Sequence, residues 1–387
     1  MTLRRAHWAA LLVLATLVVL AGCSGLGRSA PPEPPALDND RVALGWHFRF
    51  VSEWQPGQGP ERLRPALADG VLYAAYSNGD VVALDRNDGR VLWRAEYEPW
   101  QAGVTAYEGQ LYLVSKTGDL KILDASDGSL VQSSDLNLST LAAPSVSDGQ
   151  VALLGRDGSL RLWDTSSETW VWIYDSEQPG LTLHGQAQPL IVGDQVIAGF
   201  ANGRLAAFSL RNGDLLWAHR LSDPRGSTDL QRLVDVDMQP LLVDGRLYAG
   251  GYEGRLVEVS AQSGEIGWQQ QKSVTASMAT DGRSLFVADQ SGEIIAFDLS
   301  NKGERWRQQG YRGRPITGLG VTDGRLIVTD RRGYVHVLDT NDGETVGRLD
   351  FSGRDYFTVP PVTDSERFYV QSMRGLIVTG RERPAQR

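Results

Sequence analysis

Residues 144–174 read Pro144-Ser-Val-Ser-Asp-Gly149, Gln150-Val-Ala-Leu-Leu-Gly155, Arg156-Asp-Gly-Ser-Leu-Arg-Leu-Trp-Asp164 and, after a short gap, Trp170-Val-Trp-Ile-Tyr174. Short apolar runs alternate with the turn pairs Asp148-Gly149 and Asp157-Gly158, which bend a chain tightly at no steric cost. The runs predict strands at 145–147, 151–155, 160–164 and 170–174. The same phrase recurs along the chain. The glycine that closes its second hairpin is found at Gly79, Gly118, Gly158, Gly203, Gly254, Gly292, Gly333 and Gly375, spaced 39, 40, 45, 51, 38, 41 and 42 residues apart. A period near 40 with four strands per repeat defines a β-propeller blade. The expected fold is therefore all-β, an eight-bladed β-propeller of four-stranded antiparallel blades. Such units bury their faces only against their neighbours, so the ring is one domain, although 387 residues alone would suggest two or three.

The last repeat is incomplete. Candidate strands near 359–363, 367–371 and 376–379 are followed by the end of the chain. The missing fourth strand is available at the other end, where Val42-Ala-Leu-Gly-Trp46 fits the fourth-strand pattern. Residues 41–49 are expected to pair with the C-terminal blade and close the ring, removing the free ends of the array. Trp46, Trp93, Trp172, Trp217, Trp268 and Trp306 share one slot, which Gln132 and Gly347 occupy in two repeats. A large ring once per blade fills the wedge between adjacent blades.

The segment before that slot reads Ala83-Leu-Asp85-x-x-x-Gly89-x-x-x-Trp93 and recurs around Asp298 and Asp339. It resembles the tryptophan-docking repeat of the pyrroloquinoline-quinone (PQQ) dehydrogenases and their relatives. The resemblance implies the fold and a structural tryptophan. A quinoprotein dehydrogenase would also need Ca²⁺ held by carboxylate and amide oxygens, a base, and planar groups around the cofactor, one wall of which is a vicinal disulfide in several members. Here the only cysteine is Cys23, and pocket-building insertions are missing. Asp85-x-Asn87-Asp88-Gly89 and Asp339-x-Asn341-Asp342-Gly343 lack the EF-hand's sixth-position Gly and closing Glu. They read as polar turns whose Asp caps its own backbone. The histidines His7, His47, His184, His219 and His336 show no metal-binding spacing, and no GxSxG, P-loop or GxGxxG occurs. No catalytic residue, cofactor or metal is expected.

Residues 1–22 read as a lipoprotein signal peptide. Arg4 and Arg5 precede an apolar core from Trp8 to Ala21, too short to span a bilayer comfortably. Leu20-Ala-Gly-Cys23 resembles the bacterial lipobox, which implies acylation of Cys23 at the mature N-terminus. Ser24 in the next position implies sorting to the outer membrane of a Gram-negative bacterium, facing the periplasm. Residues 23–40, with Pro31, Pro32, Pro34 and Pro35, read as a semi-rigid tether. The propeller is placed at 41–381 and a tail at 382–387. The net charge of −9 argues against nucleic-acid binding.

Connections between blades carry the variation. Three are long: 18 residues between Trp46 and Pro65, 16 between Trp172 and Pro189, and 22 between Trp217 and Pro240. The last two flank one blade and form a natural protein-binding surface. They contain Gly180-Leu-Thr-Leu-His-Gly185, and Leu230 and Leu233 beside Asp235 and Asp237: apolar centres with a charged rim.

The lipobox, the tether, the degenerate PQQ-like blades and Arg232-Leu-Val-Asp-Val-Asp237 before Pro240 together resemble the BamB family, propeller lipoproteins of the β-barrel assembly machinery. The resemblance runs from Cys23 to near the C-terminus. It implies a monomeric, non-enzymatic scaffold that binds a POTRA domain of BamA, joins the other Bam subunits, assists nascent outer-membrane proteins, and touches the membrane only through its lipid. The implied contacts are Leu181, Leu183, Asp235 and Asp237, with Arg232 in the same segment. His184 stands where the family commonly carries arginine, which makes that contact pH-sensitive. Two other readings stay open at this point, a quinoprotein dehydrogenase and a propeller scaffold of another envelope complex.

Overall fold

The computed structural model describes residues 32–37, 40–49, 63–179, 181, 187–224, 234–236, 238–274 and 276–382. Every regular element among them is a strand, and the strands form eight four-stranded antiparallel sheets. Blade 1 runs outward through Ala66–Ala68, Val71–Ala75, Asp80–Asp85 and Val91–Glu96. Blades 2 to 7 follow at 105–135, 145–175, 190–220, 241–270, 279–308 and 316–350. Blade 8 contains Val362–Thr363, Phe368–Gln371 and Leu376–Glu382, and its outer strand is Val42–Arg49. Val42 lies opposite Glu382 and Arg49 opposite Leu376. The ring closes by the expected pairing, with the third strand ending at Glu382.

Strand direction alternates, so each blade has a lower rim, carrying the turns after its first and third strands. The upper rim carries the turn between its second and third strands and the connection to the next blade. Turn chemistry holds the lower rim. Asp69 and Gly70 have φ of 50° and 77°, and Asp148 and Gly149 have 47° and 74°, the double left-handed geometry that favours Asp-Gly in a two-residue hairpin. In the outer turn the Asp85 carboxylate accepts from the Asn87 N–H at 2.8 Å, and Asp339 does the same for Asn341 at 2.9 Å.

The core lies between blades. Eight hydrophobic clusters each straddle two neighbours, as where Tyr73 and Ala83 of blade 1 meet Leu111 and Leu113 of blade 2. The seam between blades 8 and 1 is closed in the same way, by Tyr369 and Ile377 against Leu72 and Leu84. In blades 1 to 7 the outer strand carries a β-bulge just before the tryptophan slot, where the register shifts, for example between Ala83 and Leu84. The bulge twists the strand locally and turns the slot residue toward the next blade.

That residue links blades through its N–H as well as its ring. Indole Nε1 donates to a carbonyl of the following blade from Trp46 to Arg86, Trp93 to Ala125, Trp172 to Leu210, Trp217 to Ala261 and Trp306 to Thr340, at 2.9–3.2 Å. All five of these rings cover a glycine three residues beyond their acceptor. A Cβ on Gly89 would lie 2.5 Å from Trp46, and one on Gly213 2.8 Å from Trp172. In blade 7 the slot holds Gly347, and Val42 of the closing strand packs where the ring would stand.

Candidate functional site

The expected partner loops lie on the upper rim. Leu181 is 39 % exposed on the connection between blades 3 and 4. Leu183, His184, Arg232 and Asp237 lie outside the described residues, as does Cys23. The second connection returns to the described region at 234–236, and there the expectation for Asp235 needs correcting. Asp235 is 1 % exposed, and Val234 and Val236 beside it are equally buried. Asp235 bridges Tyr252, whose N–H donates to the Asp235 carbonyl at 2.8 Å, and the Val236 N–H donates to Phe200 O at 3.3 Å. Val236 enters where Gly199 has no side chain, and the Asp235 carbonyl approaches Gly251. This piece of the loop is wedged between blades 4 and 5. Asp235 lines a central cavity of about 370 Å³, and at 1 % exposure it does not fit the rim charge expected of it.

All eight blades or their connections contribute to that cavity. Arg64 and Gln239 meet across it, Arg64 Nη1 donating to Gln239 Oε1 at 3.2 Å. Burial pulls the Arg64 guanidinium below the ordinary arginine pKa. Neither residue is marked by a motif, since each sits just before the proline that starts its blade. A second polar group is hidden in blade 7. His336 is fully buried, its Nε2 3.1 Å from Asp330 Oδ2, while Arg314 pairs with the same carboxylate at 2.6 Å. Arg348 Nε donates to His336 Nδ1 at 3.3 Å, Tyr334 stacks on the imidazole and Tyr311 meets it edge-on. Burial lowers the His336 pKa, so the ring is neutral at neutral pH. This network ties strands of one blade to each other and to the connection before it, and leads to no open cleft.

The outer strands differ around the ring. Blades 1 to 4 expose apolar residues at or beside the bulge: Val91 and Leu92, Leu130 and Val131, Val171 and Ile173, Leu215 and Leu216. Blades 5 and 6 carry Gly267 and Arg305 at the bulge. Among the described residues no cluster of three His, Cys, Asp or Glu side chains is arranged to hold a metal ion.

A family model described as outer membrane protein assembly factor BamB matches residues 77–308. Curated relatives carry the same name. That of Kangiella koreensis is 34 % identical over 361 residues, 92 % of this chain and 91 % of its own length. That of Escherichia coli K12 is 30 % identical over 382 residues, 94 % and 96 % of the two chains. The chain belongs to the BamB family. Among solved structures, BamB from Moraxella catarrhalis superposes with a TM-score of 0.77 at 23 % identity, covering 88 % of this chain and 99 % of that one. Quinohemoprotein alcohol dehydrogenase from Comamonas testosteroni reaches a TM-score of 0.67 at 12 % identity, covering 90 % and 78 %. At these identities the likeness is one of fold. The BamB family is a family of assembly factors, so the quinoprotein reading is set aside.

Proposed function

We propose that this chain is a non-enzymatic scaffold lipoprotein, anchored through Cys23 to the periplasmic face of the outer membrane, that docks on a POTRA domain of BamA and assists assembly of outer-membrane β-barrels. The observation that carries the reading is membership of the BamB family over nearly the whole chain. The docking surface is the pair of upper-rim connections on either side of blade 4. Leu181, Leu183 and His184 supply one half, Arg232 and Asp237 the other. Buried Asp235 braces the second loop instead of meeting the partner. Apolar burial at the leucines gives affinity, and the charges set orientation and encounter rate.

The exposed apolar outer strands of blades 1 to 4 add a second contact mode. An extended client strand can pair with such an edge while its side chains cover the bulge residues. The test of the main reading is photo-crosslinking in cells from Leu181 and, as a neighbour on the same rim, Gln178. Adducts with the POTRA region of BamA support it. Adducts confined to other envelope proteins would overturn the partner while leaving the family standing.

A further inference from the structure

The two rims of the propeller differ in charge, and the upper rim differs from one side to the other. Lower-rim turns are built on self-capping carboxylates such as Asp85, Asp124, Asp298 and Asp339. On the upper rim of blades 1 to 3 the exposed acids Glu96, Asp135, Asp175 and Glu177 outnumber the exposed bases Lys116 and Arg156. Across the ring bases predominate. Arg331 and Arg332 sit exposed in the upper turn of blade 7, and Arg354 sits exposed on the connection from blade 7 to blade 8. None of the three makes an ion pair among the described residues. The acids nearest them in sequence are largely withdrawn: Asp330 is buried against Arg314 and His336, and Asp355 against Arg49, leaving Asp350 exposed. Tyr356 is exposed on the same connection, with the Arg374 guanidinium 5.5 Å from its ring.

The N-terminal segment leads to this sector. The Arg41 N–H donates to Val346 O at 2.9 Å, the Arg348 N–H to Asp40 Oδ1 at 3.3 Å, and the Arg348 guanidinium to Pro35 O. Pro35 then packs on Gly310, just past the outer strand of blade 6. Followed back from Arg41 to Pro35, the segment thus runs along the outer strand of blade 7 from its lower rim, beside Val346, to the upper rim, beside Gly310. Only eleven residue steps separate Pro34 from Cys23, a reach of at most roughly 36 Å.

We propose that the upper rim of blades 7 and 8 rests on phospholipid headgroups, with Arg331, Arg332 and Arg354 against lipid phosphates and Tyr356 at the interface. The proposal rests on the reading of Cys23 as lipidated. An acyl anchor on so short a leash holds the arginines at high local concentration beside the surface, and acyl chain plus basic cluster is the two-signal arrangement that gives stable attachment. Each arginine gains from an anionic leaflet within a Debye length. The connection carrying Leu181 lies on the opposite side of the eight-membered ring, so lipid and protein contacts do not compete.

The test uses the full-length lipidated protein in vesicles of phosphatidylethanolamine and phosphatidylglycerol, roughly three to one. A fluorophore is placed at Tyr356→Cys or, on the lower rim of the same blade, at Asn341→Cys, and a nitroxide on the lipid headgroup serves as quencher. Strong quenching at 356 and little at 341 is expected. It should fall by about half or more in R331E/R332E/R354E and in about 1 M salt, where screening shortens to about 3 Å. The triple lysine variant should retain it, and the melting temperature of each variant reports folding. Flotation with equal quenching at both positions, or quenching indifferent to charge reversal, overturns the proposal and leaves the anchor intact. A label shielded in cells but unquenched in vesicles overturns it in favour of an acidic protein partner. Failure to float shows that the anchor itself is absent, and the proposal falls with it.

Discussion

Gln132 Nε2 donates to the carbonyl oxygen of Thr165 at 3.0 Å, the bond that an indole makes from the same slot in five other blades. Its counterpart across the seam has changed with it. Where Trp46, Trp93 and Trp172 dock on Gly89, Gly128 and Gly213, the position facing Gln132 is Glu168, left-handed at φ 51°. Gln132→Trp alone should therefore overpack the seam and destabilise by about 1–3 kcal/mol. Adding Glu168→Gly should recover most of that loss. Urea midpoints for the two single variants and the double variant decide it, and additive losses would break the link between the two positions.

Trp217 is 9 % exposed and its indole N–H is satisfied by Ala261. Trp217→Ala should cost about 3–5 kcal/mol, because a large ring and a buried hydrogen bond are lost together. Trp217→Phe should cost less than the alanine change but more than nothing, since the Ala261 carbonyl loses its donor. Thermal melts of both variants against the parent check the order.

The stability of the ring should fall as pH drops below about 6.5, the ordinary histidine value. Burial lowers the His336 pKa in the folded chain, and Arg348 and Arg314 push in the same direction against the pull of Asp330. Between the folded and unfolded pKa values the unfolded chain binds the extra proton, so acid favours unfolding. His336→Gln removes the titration and should flatten this part of the curve. A variant whose melting temperature declines as steeply as the parent's between pH 7 and pH 5 would assign the effect elsewhere.

Leu181 and Asp235 should separate binding from folding. Leu181→Asp places a charge on an exposed site and should weaken capture of the BamA POTRA region about tenfold or more, with an unchanged melting temperature. Asp235→Ala should lower the melting temperature, since Asp235 is buried between two blades. Titration calorimetry and melts on the same preparations read both. A stable Asp235→Ala protein with lost affinity would return this carboxylate to the partner surface.

The ring, its closure and the tryptophan slot were legible because each is written once per repeat at a fixed distance from a turn. Asp85 and Asp339 could be read as turn caps rather than ligands for the same reason, since the cap is made within two residues. Asp235 was misplaced. Val-Asp-Val-Asp alternates as a half-exposed strand does, yet residues 234–236 are all buried, and the clue lay in the side-chain-free positions Gly199 and Gly251 that receive them. The His336–Asp330–Arg314 network and the meeting of Arg64 with Gln239 left no trace in the pattern. Their partners come from different strands, or in the second case from opposite sides of the ring, and local spacing carries no information about such pairs.

The closing strand also imposes an order on biogenesis. A chain made from its N-terminus makes Val42–Arg49 before every other strand of the ring, yet their pairing partners, Leu376–Glu382, come after all the others. Until they appear the array has two open flanks, with Leu72 and Leu84 of blade 1 uncovered at one of them. A ring sealed this way is a proofreading device for length: a truncated chain cannot hide its ends and stays recognisable to chaperones and proteases as unfinished.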